Sequence, residues 1–230
     1  IEDRASRLAY IQGKIHAHFT AKQYENLLRD LSKTKLKPLE KKLLTELNWD
    51  YNLNKVLPEK HVQELTHAQT IATHVWATAR KNNDWKLFRP HLEKLISLKK
   101  REASFYGEKK PYDALIKLHD KEFDSKEITK LFSELKTGLL TLTKKVKAQK
   151  TFVAVKDLKG PFDLEAQKKL SEYVARVCCL PEEFSRLDVS THPFSINISP
   201  LDQRITTRYA LDNLDSLGST MHEVGHALYE

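Results

Sequence analysis

Near the end of the 230-residue chain stands His222-Glu223-Val224-Gly225-His226, an H-E-x-x-H pentad. On an α-helix, residues at i and i+4 lie one above the other, with Cβ atoms roughly 5–6 Å apart. Two imidazoles held that way reach a single zinc ion, and the Glu between them can serve as general base toward water on that ion. In a chain this rich in His and Glu, chance alone yields such a pentad at a frequency of roughly 3 %. The motif therefore needs support from the residues around it. Zinc in such a site also needs a third protein ligand, and none follows within the 230 residues.

The pentad works only if a helix carries it. Leu214, Leu217, Met221, Val224 and Leu228 recur at helical spacing, which predicts a helix packed on a core through that stripe. Asp212 or Asp215 can cap its start. His222 and His226 then fall beside the stripe, with Gly218 and Gly225 on their side. A glycine inside a helix costs about 1 kcal/mol against alanine. Two of them predict that something approaches closely there.

The rest of the chain reads as helices with a short β segment. Thr20-Ala21-Lys22-Gln23 has capping-box form and predicts a break near Thr20 within a helical stretch from Glu2 to Ser32. Pro38 opens a helix towards Leu47, and Pro58 opens one from Glu59 to about Asn82. His67 and His74 share a face of the latter, but seven helical residues span about 10 Å, too far for one metal. Helices are expected over Trp85 to Phe105 and Tyr112 to His119. Asp124-Ser125-Lys126-Glu127 is a capping box before Ile128, Leu131, Phe132, Leu135, Leu139 and Leu142. Asp163 caps a helix that runs to about Cys179 and stops before Pro181.

After Pro181 the texture changes. Leu187 to Ser199 and Arg204 to Leu211 read as two short strands joined at Pro200-Leu201-Asp202-Gln203. Phe194, Ile196 and Ile198 alternate there with Ser195, Asn197 and Ser199. The expected fold is mainly α, a helical body with a small antiparallel β-ribbon beside the H-E-x-x-H helix. It is read as one continuous body, with helical residues 1–180, ribbon 187–211 and metal helix 213–230. An edge strand of such a ribbon can hold an extended peptide through its backbone.

Composition sets broad bounds. Six glycines and eight prolines in 230 residues fit a helical protein. The net charge of +8 permits nucleic-acid or acidic-membrane binding. The lysines alternate with Glu and Asp, however, and the clusters Lys33-Lys35-Lys37 with Lys41-Lys42 and Lys144-Lys145-Lys147-Lys150 are short, so neither partner is expected. Cys178 and Cys179 are adjacent, a poor spacing for an ordinary disulfide, and two free thiols fit a reducing compartment. No apolar run approaches a bilayer span, and the start lacks signal-peptide form. The first residue is Ile rather than Met, which reads as a portion of a longer protein.

Three further stretches lead to a family. Leu187-Asp188-Val189-Ser190-Thr191-His192-Pro193-Phe194, then Asp202-Gln203-Arg204-Ile205-Thr206-Thr207-Arg208-Tyr209, then Met221 to Glu230 carry H-P-F, D-x-R-x-T and H-E-x-x-H in order. In this the chain resembles the carboxypeptidase Taq family of metallopeptidases. Trp76 to Asp84 and Pro111 to Leu115 are also similar to family stretches, so the resemblance covers most of the chain and places it as an N-terminal part. It implies a mostly helical enzyme with a deep groove that removes single residues from peptide C-termini, using zinc or cobalt. It further implies a cytoplasmic homodimer acting on peptide substrates. Carried over, His222 and His226 are metal ligands and Glu223 the general base. His192, Pro193 and Phe194 line the groove, and Asp202, Arg204 and Thr206 shape the site. The family's third ligand, a Glu, and an Arg suited to a terminal carboxylate lie on later segments, so the isolated piece is expected to be inactive.

The residues themselves leave some roles open. His192, neutral or charged, can donate to the oxyanion formed when water attacks a carbonyl. It can equally contact substrate backbone or pack under Pro193. Arg204 or Arg208 can receive a C-terminal carboxylate as a bidentate partner, while Arg204 can instead pair with Asp202 or Asp188 to fix the ribbon. Asp202, Asp212 and Asp215 are acceptors for the second ring nitrogen of the ligating histidines. An H-E-x-x-H aminopeptidase or endopeptidase, or an inactive helical binding protein, are the other readings of the same residues.

Overall fold

The structure, a computed structural model, describes residues 1–149 and 160–229. Lys150 of the basic cluster and Glu230 at the end of the expected metal helix lie outside the described residues. The chain forms two compact units, Ile1–Ala148 and Gln149–Glu230.

The first unit is entirely helical among its described residues: α1 (Glu2–Phe19), α2 (Lys22–Leu31), α3 (Pro38–Lys55), α4 (Glu59–Asn82), α5 (Trp85–Phe105), α6 (Pro111–Lys117) and α7 (Ser125–Lys147). Its frame is α1 on α4 and α4 on α5. α1 turns Ala5, Ala9, Gly13 and His16 inward, one face at i, i+4 and i+3 spacing. The small residues let the helices close up: a Cβ on Gly13 would stand 2.3 Å from Gln63 Nε2. Buried His16 is satisfied by the carbonyl of Leu57 at 2.9 Å.

Local signals set the helix ends. The break after α1 falls where Thr20 predicts it, but Thr20 does not cap α2. Its hydroxyl donates back to His16 O at 2.8 Å, and Ala21 opens α2 with no side-chain cap. Pro38 begins α3, which continues past Leu47 to Lys55. Asn83 closes α4 in the left-handed region (φ 52°), and Asp84 caps α5 by accepting from Leu87 N at 3.0 Å. Asp124 accepts from Lys126 N and Glu127 N, the capping box read in the sequence. α7 buries none of its residues, so Leu131, Phe132, Leu135, Leu139 and Leu142 form an exposed apolar stripe.

The second unit holds α8 (Leu164–Val177), a 3-10 turn (Glu182–Phe184), β1 (Ser185–Val189), β2 (Phe194–Ser199), β3 (Asp202–Thr207) and α9 (Asp215–Tyr229). Asp163 caps α8 through Ala166 N at 2.7 Å. Cys178 and Cys179 follow α8 as free thiols.

The mainly helical class and a small sheet are as the sequence predicts, but the sheet is not a two-stranded ribbon. It has three strands in the order β1-β3-β2, with β3 parallel to β1 and antiparallel to β2. The cause is Pro193, which cannot donate to a ladder and breaks the expected first strand in two. The chain then crosses the end of β3 and returns on its other side. β3 ends at Thr207 rather than Leu211, leaving Arg208 outside the strand.

α8 and α9 pack with β3 over a core of Ala175, Leu180, Ile205, Val224 and Ala227, flanked by Cys178 and Leu187. The buried side of α9 is Ser216, Thr220, Glu223, Val224 and Ala227. The expected stripe is therefore turned: Met221 and Leu228 are half exposed, and only Val224 of that set is buried. Hydroxyl groups make the polar seam tolerable. Thr207 and Thr220 both donate to Ser216 O, at 3.2 and 2.7 Å. Ser216 Oγ donates to Gln167 Oε1 at 2.7 Å, and Gln167 Nε2 reaches Ala210 O at 2.7 Å. Buried polar groups that find partners avoid the desolvation cost of leaving them unmade.

Candidate metal centre

α9 presents its two histidines away from the core. His222 and His226 are exposed, and their Nε2 atoms converge to 3.2 Å with the rings edge to face. Two nitrogens each 2.0–2.1 Å from one tetrahedral zinc ion lie about 3.3 Å apart. The pair is thus spaced as two ligands of a single ion, and the donor set fits a divalent transition metal. Among the described residues no third His, Cys, Asp or Glu joins them.

Glu223 stands on the neighbouring side of the helix and is 94 % enclosed, at 6 % exposure. Val224 at 1 % is its deeper neighbour. Enclosure of a carboxylate one residue from the first ligand excludes bulk water and strengthens its electrostatic interactions. Gly218 and Gly225 do lie on the exposed side, but a Cβ on either would meet nothing within 4 Å among the described residues. The expected close approach is absent there, because the packed face of α9 is the opposite one.

α9 packs on β2 and β3, which carry the second group of predicted residues. Thr206, buried at 6 %, faces Phe194 across the β2–β3 ladder. Its Oγ1 accepts from Phe194 N at 3.0 Å and meets Ser190 Oγ at 2.8 Å. Ser190 Oγ in turn donates to His192 O. The crossover is fixed further by Ser190 N to Thr207 O at 3.0 Å and by Arg208 Nη1 to Thr191 O at 3.5 Å. His192 Nδ1 lies at 2.5 Å from Pro193 O. A carbonyl only accepts, so in this contact Nδ1 donates.

Asp202 and Arg204 form a two-point ion pair through Nε–Oδ1 and Nη2–Oδ2. The guanidinium bond holds the Asp202 carboxyl below its ordinary pKa. Arg204 is thereby committed to the strand, one of the two roles open to it from the sequence. Asp202 accepts from Arg204, and Asp212 accepts from Asn213. Phe194, Ile196 and Ile198 sit on the exposed side of edge strand β2.

The structure therefore gathers the predicted residues into three sets: the pair His222 and His226, the turn at His192-Pro193-Phe194 held by Thr206, and the pair Asp202 and Arg204. Sequence reading missed Ser190 and Gln167. Ser190 carried no signal beyond lying in a motif, and Gln167 is one polar residue in a polar helix.

A helical scaffold whose terminal helix directs two imidazoles to one point defines the H-E-x-x-H class of metallopeptidase. The carboxypeptidase Taq (M32) metallopeptidase profile matches residues 1–230, and the chain belongs to that family. Thermostable carboxypeptidase 1 of Thermus thermophilus and carboxypeptidase 1 of Bacillus subtilis are each 32 % identical across the whole of this chain, which covers 48 % and 46 % of them. The crystal structure of BsuCP superposes with a TM-score of 0.91 at 31 % identity, covering 99 % of this chain and 47 % of that one. Trypanosoma cruzi metallocarboxypeptidase 1 gives 0.78 at 31 % identity, with 99 % and 47 % covered. The chain thus spans about half the length of the curated relatives it matches.

Proposed function

We propose that these residues are the N-terminal part of a metal-dependent carboxypeptidase that removes single residues from peptide C-termini. The convergence of His222 and His226 at 3.2 Å carries the reading. The two Nε2 atoms would hold a divalent ion, zinc or alternatively cobalt. When bound, that ion lowers the pKa of its water and polarises the scissile carbonyl. The third protein ligand comes from the half of the relatives' length that this chain does not span. The 230 residues alone are therefore inactive.

Each residue of the chain then has a task. Glu223, enclosed beside the first ligand, takes the proton from the attacking water on its carboxylate and passes it to the leaving amine. His192 donates to the carbonyl oxygen as charge develops there. Pro193 and Phe194 border the peptide, and the open edge of β2 pairs with its backbone. Arg208, which bonds Thr191 O beside His192, meets the substrate, and Arg204, paired with Asp202, fixes the strand. Asp202 and Thr206 shape the site.

The protein acts in the cytoplasm as a homodimer. Its two free thiols fit a reducing compartment, and exposed apolar stripes such as that of α7 offer area for association. Among the described residues no helix is long and apolar enough to cross a membrane.

One assay separates this reading from its rivals. The complete protein with added zinc or cobalt is given one peptide in two forms, blocked at the N-terminus or at the C-terminus. Stepwise loss from the C-terminus of the N-blocked form alone is the expected result. Cleavage of the C-blocked form would move it to the aminopeptidases or endopeptidases, and cleavage of neither to an inactive binding protein.

A further inference from the structure

The turn that carries His192 is closed by two hydroxyl groups that bond each other and the backbone on either side of Pro193. Phe194 N–H can only donate, and it meets Thr206 Oγ1 at 3.0 Å. His192 C=O can only accept, and it meets Ser190 Oγ. Between them Thr206 Oγ1 and Ser190 Oγ stand 2.8 Å apart. With the Ser190 hydrogen on His192 O, the Thr206 hydrogen is assigned to Ser190 Oγ at 2.8 Å, the nearest of its acceptors. The chain runs Phe194 N–H to Thr206 O–H to Ser190 O–H to His192 C=O. Such a series polarises in one direction, each bond strengthening the next. It ties residue 192 to residue 194 around Pro193, which has no N–H of its own to contribute.

We propose that Ser190 is a positioning residue that sets His192 for its contact with the substrate carbonyl, acting through this hydroxyl relay. The inference rests on the role of His192 given above. Thr206 anchors the relay because it is buried on the central strand, paired on both sides. Ser190 is the second link, half-buried one residue past the end of β1 and held by its own N–H on Thr207 O. Without its hydroxyl, Thr206 O–H has only longer alternatives, at 3.5 Å to His192 O and 3.3 Å to Phe194 O. The turn then loses its closing bond while the strands on either side keep theirs.

The test is a double-mutant cycle in the complete metal-loaded enzyme, with Ser190→Ala, His192→Ala and the pair. Ser190→Ala is expected to lower kcat about tenfold with KM within about twofold, since the contact it serves forms in the transition state. In the His192→Ala background the same change is expected to cost nothing further. Ser190→Thr, which keeps the hydroxyl, restores kcat. Amide exchange at Phe194 gives a readout free of activity and is expected to quicken about tenfold in Ser190→Ala, with the thermal midpoint little moved. Additive losses in the double mutant, unchanged kcat in Ser190→Ala, or unchanged exchange at Phe194 would overturn the proposal. A wild-type enzyme that cleaves neither blocked peptide would remove the functional reading and with it the role of Ser190, while the exchange result would still decide whether the relay exists.

Discussion

At the residue scale, the division of labour within the pentad follows from how α9 is turned. The two histidines face outward and converge, while Glu223 between them is enclosed. A ligand must reach an ion. A base must be held beside it, away from bulk water that would screen its charge. Glu223→Gln keeps the shape of the side chain and removes only its capacity to take a proton. In the complete enzyme this change is expected to lower kcat by a factor of roughly 10² to 10⁴, the range of general acid–base catalysis, with the metal still bound. Steady-state kinetics with metal analysis on the same sample checks it. An active Glu223→Gln enzyme would remove Glu223 from the mechanism. The spacing of the two imidazoles was legible in the sequence, because H-E-x-x-H states both the types and the interval. The contact of His192 Nδ1 with Pro193 O was not, since it ends on a backbone atom with no signature in residue type.

At the element scale, helices bounded by caps or prolines were readable and the packed faces were not. Asp124, Asp163, Pro38 and Pro58 each open a helix where chemistry requires. The face of α9 was misjudged because an apolar count looks for large side chains. The real seam is made of Ser216, Thr220 and Ala227, small groups whose hydroxyls bond locally. The third strand went unseen because its partner on β3 lies beyond the chain crossing at Pro193, a pairing no local pattern encodes. The α4–α5 interface holds another such case. His61 is 3 % exposed, accepts from Arg101 Nε at 3.1 Å, and has Nε2 at 3.9 Å from Glu102, too long for a bond. Burial, then the Arg101 charge, pushes its pKa below 6.5. The unfolded chain therefore binds the proton first, and stability present above about pH 6.5 is lost as pH falls below it. Glu64, bonded by Arg101 and Lys94, is held down to about 2, so its contribution persists until the pH drops below about 4.5. Thermal midpoints from pH 7.5 to 5.5 should fall in the wild type and fall less in His61→Gln. Equal slopes would show that His61 is not the group responsible. Nearby Tyr106 is pushed up to about 12 by burial and then by the Glu102 charge, and does not titrate in this range.

At the scale of the whole molecule, the chain matches about half of a family fold. It superposes on BsuCP with a TM-score of 0.91 while covering 47 % of that chain. It supplies two converging imidazoles and no third His, Cys, Asp or Glu among its described residues. Two ligands hold a divalent ion far less tightly than three, so the 230 residues should bind metal weakly and the complete protein firmly. The most direct measurement is a cobalt titration of the complete protein followed by its visible absorption, in wild type, His222→Ala, His226→Ala and Glu223→Gln. One ion per chain in the wild type and in Glu223→Gln, with at least about a hundredfold weaker binding in each histidine variant, is the predicted result. Unchanged binding in either histidine variant, or loss of the ion in Glu223→Gln, would contradict the assignment of ligands and base.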